Sequence, residues 1–104
     1  MAARPTTFQK TVAAAATPES LVASALLVAV AVVQALSTNT GSVVLGDSNV
    51  TTNRGITLAA PAAGTTPDSV TIRSQKGDNE IDLVKWFCKV AVNGEGVAVT
   101  YIEK

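Results

Sequence analysis

Residues 81–103 read IDLVKWFCKVAVNGEGVAVTYIE, and this stretch decides the fold class. Apolar side chains recur at every second position on both sides of Asn93–Gly94, over residues 81–92 and again over 97–103. A period of two is typical of a strand with one buried face. An Asn–Gly step between two such runs is a strong signal for a β-hairpin. The stretch therefore predicts two long antiparallel strands joined by a tight turn at residues 93–96.

The same alternation assigns side chains to faces. In residues 97–103, Val97, Val99 and Tyr101 share the inward face. In residues 81–92 the predicted core face carries Val84, Trp86, Cys88, Val90 and Val92, and the opposite face carries Leu83, Lys85, Phe87 and Lys89. An aromatic side chain that points outward between two lysines can mark an interface, so Lys85, Phe87 and Lys89 are candidate interface residues.

The apolar run at residues 21–36 has two competing interpretations. It is shorter than the roughly 20 apolar residues of a membrane-spanning helix, and a secretory signal peptide, with Arg4 and Lys10 before it, is the alternative. Pro18 and Glu19 stand directly before the run, against a signal peptide. Within it large and small residues alternate, with Val28, Val30 and Val32 on one side and Ala29, Ala31 and Ala35 on the other. This favours a strand over residues 26–36, packed on both faces.

Shorter strands are predicted where β-branched residues alternate between turn signals. These runs cover residues 6–13, 19–23, 42–46, 56–60 and 68–74, and the intervening turns cover 37–41, 47–55, 61–67 and 75–80. Seven to eight short strands at this spacing, with no convincing helix, predict an all-β fold. The expected architecture is a small antiparallel β-sandwich or a jelly-roll-like barrel.

The N-terminal residues are weakly specified. With 104 residues the chain is one domain long, and we expect an extended N-terminal arm over residues 1–16 and the β-sandwich domain over 17–104. Phe8 and Val12 alternate with polar residues, as in an edge strand or an arm. Main-chain pairing of this segment with a neighbour's sheet edge needs little sequence specificity, so Phe8 and Val12 are also candidate interface residues.

The composition bears on function. The chain has 8 Lys+Arg and 8 Asp+Glu, no His and one Cys, with 15% charged and 47% hydrophobic residues. A His- or Cys-based metal site cannot be built, and no His can act as general base for a nucleophile. Zero net charge argues against nucleic-acid binding. We therefore expect no enzyme activity, cofactor, catalytic residue, metal site, nucleic-acid partner or membrane partner, and a structural or binding module instead.

One loop carries oxygen ligands at alternate positions. Residues 47–53 (DSNVTTN) have the spacing of a calcium loop, but the sixth position is Thr52 and the twelfth is Leu58, where glycine and a bidentate acid are expected. A tight polar turn is the better interpretation.

Two blocks of sequence resemble a family of small virion proteins of tailed bacteriophages. The first follows the pattern Q-A-x-x-x-N-T-G-x-V-x-V-G-D-S-x-V-[ST]-x-x-x-G-I-x-L-A, except that Leu45 stands where the pattern has Val before Gly46, and the second follows the pattern I-D-L-x-K-x-[FY]. The matching residues are Gln34-Ala35, Asn39-Thr40-Gly41, Val43, Gly46-Asp47-Ser48, Val50-Thr51, Gly55-Ile56, Leu58-Ala59, Ile81-Asp82-Leu83, Lys85, Phe87 and Asn93-Gly94. After the first block the family has a Pro-Gly turn, where this chain has a longer loop, residues 60–64.

The resemblance implies a small β-sandwich without enzymatic activity that serves as a capsid decoration (cement) protein. Such a protein would be assembled in the host cytoplasm, would lie on the outer capsid surface of the virion, and would bind the major capsid protein and its own copies. Three-fold positions of a shell make a homotrimer the natural assembly. Two alternatives stay open: a low-copy tail, baseplate or head-tail connector component, and an exported surface- or carbohydrate-binding module.

Overall fold

The computed structural model describes residues 4–62, 66–73 and 81–103, and within them the fold is all-β. The strands are β1 (Pro5–Thr11), β2 (Glu19–Ser20), β3 (Leu27–Ala35), β4 (Val43–Gly46), β5 (Ile56–Leu58), β6 (Ser69–Arg73), β7 (Ile81–Asp82), β8 (Phe87–Val90) and β9 (Gly96–Glu103). Sheet A has the order β1-β9-β3-β6, with β7 also paired to β3, and sheet B has the order β2-β8-β4-β5. All pairings are antiparallel. The prediction of a small antiparallel β-sandwich is confirmed.

The core lies between the two sheets and consists almost entirely of aliphatic side chains. Sheet A contributes Val33 of β3 and Val97 and Val99 of β9, and sheet B contributes Val43 and Leu45 of β4. Each of these five side chains is fully buried. β-Branched residues suit this position because their stiff side chains pack well on a pleated surface.

A β-bulge in β3 overturns the face assignment made from the alternation. The register of β3 against β9 shifts between Val28 and Val30, and a bulge adds a residue that moves the rest of the strand to the other face. Val28 therefore points inward, whereas Val30 and Val32 point outward and are only half buried. The inward residues after the bulge are Ala31, Val33 and Ala35. The strand itself was predicted correctly.

Residues 81–92 do not form one strand. The segment begins as β7 in sheet A, makes a 3-10 turn over Leu83–Lys85, and continues as β8 in sheet B. One Asp82 carboxylate oxygen accepts hydrogen bonds from the N–H groups of Leu26 and Val84, both at 3.1 Å, and so fixes the crossing point. The strict period of two fails here: Leu83 is fully buried and Val92 is 40% exposed, the reverse of the prediction.

The turn at residues 93–96 also crosses between sheets, so the predicted β-hairpin is wrong. β8 pairs with β4, and β9 pairs with β1 and β3. Gly94 does adopt a positive φ of 85°, as the Asn–Gly step indicates. The buried Asn39 side chain binds the Gly96 backbone on both sides: its Nδ2 donates to the Gly96 carbonyl at 2.8 Å, and its Oδ1 accepts from the Gly96 N–H at 3.3 Å.

Residues 5–11 are an edge strand of sheet A and not part of a separate arm. β1 pairs with β9 along its whole length, from Pro5 opposite Ile102 to Thr11 opposite Gly96. The following residue, Val12, is fully buried, and its backbone exchanges hydrogen bonds with the 93–96 turn. The boundary predicted at residues 16 and 17 therefore does not separate an arm from a domain, because the described part of residues 1–16 belongs to the sandwich.

The predicted turn at residues 75–80 and residues 63–65 of the predicted loop 61–67 lie outside the described residues. The loop after β4 is a tight polar turn, as expected. Asp47 accepts from the N–H of Asn49 through its side chain and from the N–H of Val50 through its carbonyl. This turn buries Val50, with 2% of its surface exposed, against Gly46 and Gly55, and Val50 is not part of the core between the two sheets.

Candidate interaction surface

The outward side of sheet A presents a broad surface, which we call the neutral face. The strand registers place its residues in three rows across the four strands. The rows are Pro5–Ile102–Val30–Arg73, Thr7–Thr100–Val32–Thr71 and Gln9–Ala98–Gln34–Ser69. Only Arg73, at one corner, carries a charge. The neighbouring inward rows contain Phe8, Val99, Val33 and Val70, so the two sides of the sheet differ clearly in composition.

The neutral face is more apolar on its two central strands than on its edge strands. Four of the six outward residues on the central strands are apolar, namely Val30, Val32, Ala98 and Ile102, and all four are half buried. The other two are Thr100 and Gln34, and the edge strands contribute exposed Thr, Gln and Ser side chains. A largely apolar centre with a polar rim is the arrangement found in protein–protein interfaces.

A shallow depression of about 290 Å³ lies at one end of the neutral face. It is lined by Gln9, Gln34 and Ala98 of the face, together with residues of the loops that follow β3 and precede β6. The two Gln amides can both donate and accept hydrogen bonds. The depression can therefore receive a protruding loop and bind its backbone groups.

A second concavity, of about 630 Å³, runs along β2 and is named here the β2 groove. Its walls include Pro18, Val22, Val84 and Phe87, and it is wide open to solvent. At its side Lys10 of β1 forms an ion pair with Glu19 of β2, with Nζ and Oε1 2.7 Å apart. The hydrogen bond from Lys10 lowers the pKa of Glu19 below its ordinary value. This pair joins the edges of the two sheets.

The structure distributes the predicted interface residues over several environments. Phe87 and Lys89 both lie on the outward side of β8, opposite Gly46 and Val44 of β4 respectively, and Lys85 is exposed in the preceding 3-10 turn. Phe87 is only half buried and contributes to the β2 groove. The outward position of Phe87 agrees with the sequence prediction. That these three residues bind a partner stays a prediction.

The two N-terminal candidates point into the sandwich. Phe8 faces inward from β1 and packs edge-on against Tyr101, with ring centroids 5.9 Å apart and an interplanar angle of 66°. Val12 has no exposed surface. Val12 belongs to the core and is not available to a partner while β1 stays paired, whereas Phe8 lies at the core margin and is half buried. That Phe8 contacts a partner stays a prediction.

The neutral face was not identified from the sequence, although a signal for it exists. Residues 30–34 and 98–102 are all uncharged, on both faces of their strands. A strand with one face in water usually carries charged residues on that face, and neither of these two strands does. Placing those residues side by side requires the register of β3 on β9, which the bulge shifts. The sequence alone does not give that register.

Among residues 4–62, 66–73 and 81–103 no group of three or more His, Cys, Asp or Glu side chains is placed to hold a metal ion. No helix in that part of the chain is both long and apolar enough to span a membrane. Cys88 lies between Glu19 of β2 and Leu45 of β4 and is fully buried, and burial raises the pKa of its thiol to about 11. A thiol in this environment is a weak nucleophile because little of it is thiolate at neutral pH.

No family model, no curated protein and no solved structure matches this chain.

Proposed function

We propose that this protein is a structural virion component of a tailed bacteriophage, a capsid decoration (cement) protein. It binds the major capsid protein on the outer surface of the head and stabilises the shell. The proposal takes its starting point from the resemblance of residues 34–59 and 81–94 to small phage virion proteins.

The observation that carries the proposal is the neutral face. A four-stranded surface with one charged residue among three rows of four can be covered by a partner without burying unpaired charges. Because burying a charge without a partner is costly, a sheet face that carries several charges usually stays in contact with water. A cement protein needs a face of this kind, because its contribution to the shell is the surface that it buries against capsid subunits.

Stable interfaces bury about 800 Å² on each partner. The three rows of the neutral face extend about 14 Å across the four strands and about 13 Å along them, so a contact of that size also includes residues around the face.

The test is binding of the purified protein to phage heads that lack it, using two matched variants. Thr100→Lys places an ammonium group in the middle of the neutral face. Thr57→Lys places the same group on the outward side of sheet B, opposite Val44. Both threonines are exposed strand residues, so the folding cost of the two substitutions is comparable.

We expect T100K to bind heads about tenfold more weakly or worse, because the new charge is buried without a partner, and T57K to bind like the wild type. Binding of T100K equal to the wild type would overturn the role of the neutral face, and weaker binding of T57K would instead move the contact to the outward side of sheet B, which carries Phe87 and Lys89. Copy number per virion, measured by quantitative mass spectrometry against the major capsid protein, tests the location. A few dozen copies or fewer would favour the tail or connector alternative over a role on the head.

A further inference from the structure

The 93–96 turn contains an Asn–Gly step, a chemical feature that the proposed function does not use. Asn93 is followed by Gly94, the residue that hinders the backbone nitrogen least. In an Asn–Gly step the Gly nitrogen can attack the Asn side-chain carbonyl carbon. The new C–N bond closes a cyclic succinimide, and the side-chain amide nitrogen leaves as ammonia with the proton from the Gly N–H. Water then opens the ring to an aspartyl or isoaspartyl residue.

Both reacting groups are engaged in hydrogen bonds to the segment that follows β1. The Gly94 N–H donates to the Val12 carbonyl at 2.8 Å. The Asn93 Oδ1 accepts from the Ala15 N–H at 2.8 Å. The attacking nitrogen is thereby kept protonated and turned toward Val12, and the carbonyl under attack is oriented toward Ala15.

The segment 12–15 is itself fixed by the N-terminal strand and by the core. Val12 is fully buried, and its N–H donates to the Glu95 carbonyl at 2.9 Å. β1 leads directly into it and is paired only to β9 among the described strands. An edge strand that is held by one neighbour only is among the first elements to open in native-state fluctuations. When β1 and residues 12–15 separate from the turn, both protecting hydrogen bonds are lost together.

We propose that Asn93–Gly94 is a deamidation site which residues 12–15 keep unreactive, so that modification occurs only when the N-terminal strand detaches. The isoaspartyl product carries an additional backbone methylene and moves Gly94 and Glu95 out of register with Val12. The modification therefore hinders β1 from pairing with β9 again. It is irreversible, so it accumulates in molecules whose β1 has detached.

The test compares the rate of deamidation at Asn93 in the folded protein and in a synthetic peptide of residues 90–97. Both are incubated at mildly alkaline pH, and ammonia loss and isoaspartate are followed by peptide mapping. We expect the folded protein to react at least about tenfold more slowly than the peptide, because opening of the segment limits the reaction. Equal rates in the two, with the protein folded throughout, would overturn the proposal.

A matched pair of variants tests the protecting contact. Ala15→Pro removes the N–H that binds Asn93. Ala15 is the second residue of a turn closed by the Thr17 N–H on the Ala14 carbonyl, a position that proline favours. Ala16→Ser changes the same exposed turn but keeps the Ala15 N–H. We expect Asn93 to react several-fold faster in A15P than in A16S.

If A15P and A16S react equally slowly while circular dichroism shows both folded, the protecting contact is not the one proposed. Asn53, which precedes Arg54, serves as an internal control in the wild-type protein and in both variants. Its rate should be low, because a bulky following residue slows ring closure, and it should be the same in the three proteins, because neither substitution is near it in sequence.

Discussion

At the scale of single residues, Glu95 shows how one side chain holds a loop in place. Its carboxylate accepts hydrogen bonds from the Thr40 N–H at 2.7 Å, the Thr40 hydroxyl at 2.9 Å and the Gly41 N–H at 2.9 Å. Partial burial alone would raise the pKa of Glu95, but these hydrogen bonds outweigh it and hold the pKa below its ordinary value. Glu95 thus connects the turn before β9 to the loop before β4.

A pH dependence of stability follows from this lowered pKa. The charged form is favoured in the folded state, so its stabilisation is fully present above the ordinary glutamate pKa of about 4.3 and is lost as the pH falls through the lower folded-state value. We expect Glu95→Gln to lower the urea midpoint at neutral pH, and the difference from wild type to shrink in acid. Urea unfolding at a series of pH values measures it.

Glu103→Gln is the matched control, because Glu103 is an exposed glutamate at the end of β9. A difference between E95Q and wild type that stays constant with pH would contradict the role of the charge. Glu19, whose pKa is lowered by its hydrogen bond with Lys10, retains its own acid dependence in both variants.

At the scale of elements, the attachment of β1 to sheet A depends on Gly96, a residue without a side chain. A Cβ atom added to Gly96 would clash with the Lys10 carbonyl oxygen, a backbone atom that cannot rotate away. Gly96 is therefore required by the close approach of β1 to the start of β9.

Gly96→Ala should displace β1 while leaving the rest of sheet A in place. In amide hydrogen exchange we expect residues 6–11 to lose protection, whereas the β3–β6 pairing keeps it. Gly94→Ala is the comparison: nothing lies within 4 Å of the added Cβ, so it introduces only the strain of a positive φ. Loss of protection in β1 to the same degree in both variants would contradict a specific role of the contact at Gly96.

The sequence predicted the elements well and their partners less well. Each of the seven strands predicted after residue 16 has a strand at its position, because β-branched alternation between turn signals is a local property. Residues 6–13, predicted as an edge strand or an arm, contain most of β1. The sheet to which a strand belongs is not local. The chain changes sheets at Leu83–Lys85 and again at residues 93–96. The sequence predicts a continuous strand through the first of these segments and a hairpin turn at the second. The outward direction of Val30 and Val32 depends on a bulge without a distinct residue pattern.

The candidate surface was also predictable only in part, because the pairing of strands is not a local property of the sequence. Phe87 was correctly placed on an outward face, since β8 is regular from Phe87 to Val90. Val12 was assigned to a partner although it is fully buried, because nothing local shows that residues 5–11 pair with strand β9, which comes near the other end of the chain.

At the scale of the whole molecule, Cys88 reports on the integrity of both sheets. It is fully buried, and the same burial raises the pKa of its thiol to about 11. Alkylation therefore requires that the sandwich open. We expect negligible labelling by iodoacetamide in native buffer and a labelling rate that rises with urea over the same range as the Trp86 fluorescence change.

The control for that experiment is the double variant Cys88→Ala/Thr57→Cys, which moves the thiol to an exposed position on sheet B. It should react in native buffer like a free thiol. Labelling of Cys88 at that same rate in the native protein would contradict a closed core.

The position of β9 has a consequence for how the protein is made. This strand lies between β1 and β3, so it joins the first strand of the chain to the rest of sheet A. On a ribosome, β1 and β3 emerge long before residues 96–103 and have no native neighbour between them until then. The β1–β9 and β3–β9 pairings must therefore form after synthesis of β9, through contacts between residues far apart in sequence, a kind of topology that folds slowly, although β3 can pair with β6 and β7 earlier. During that interval one edge of the apolar strand β3 has no partner, and we expect the nascent chain to depend on chaperones more than a helical protein of equal length.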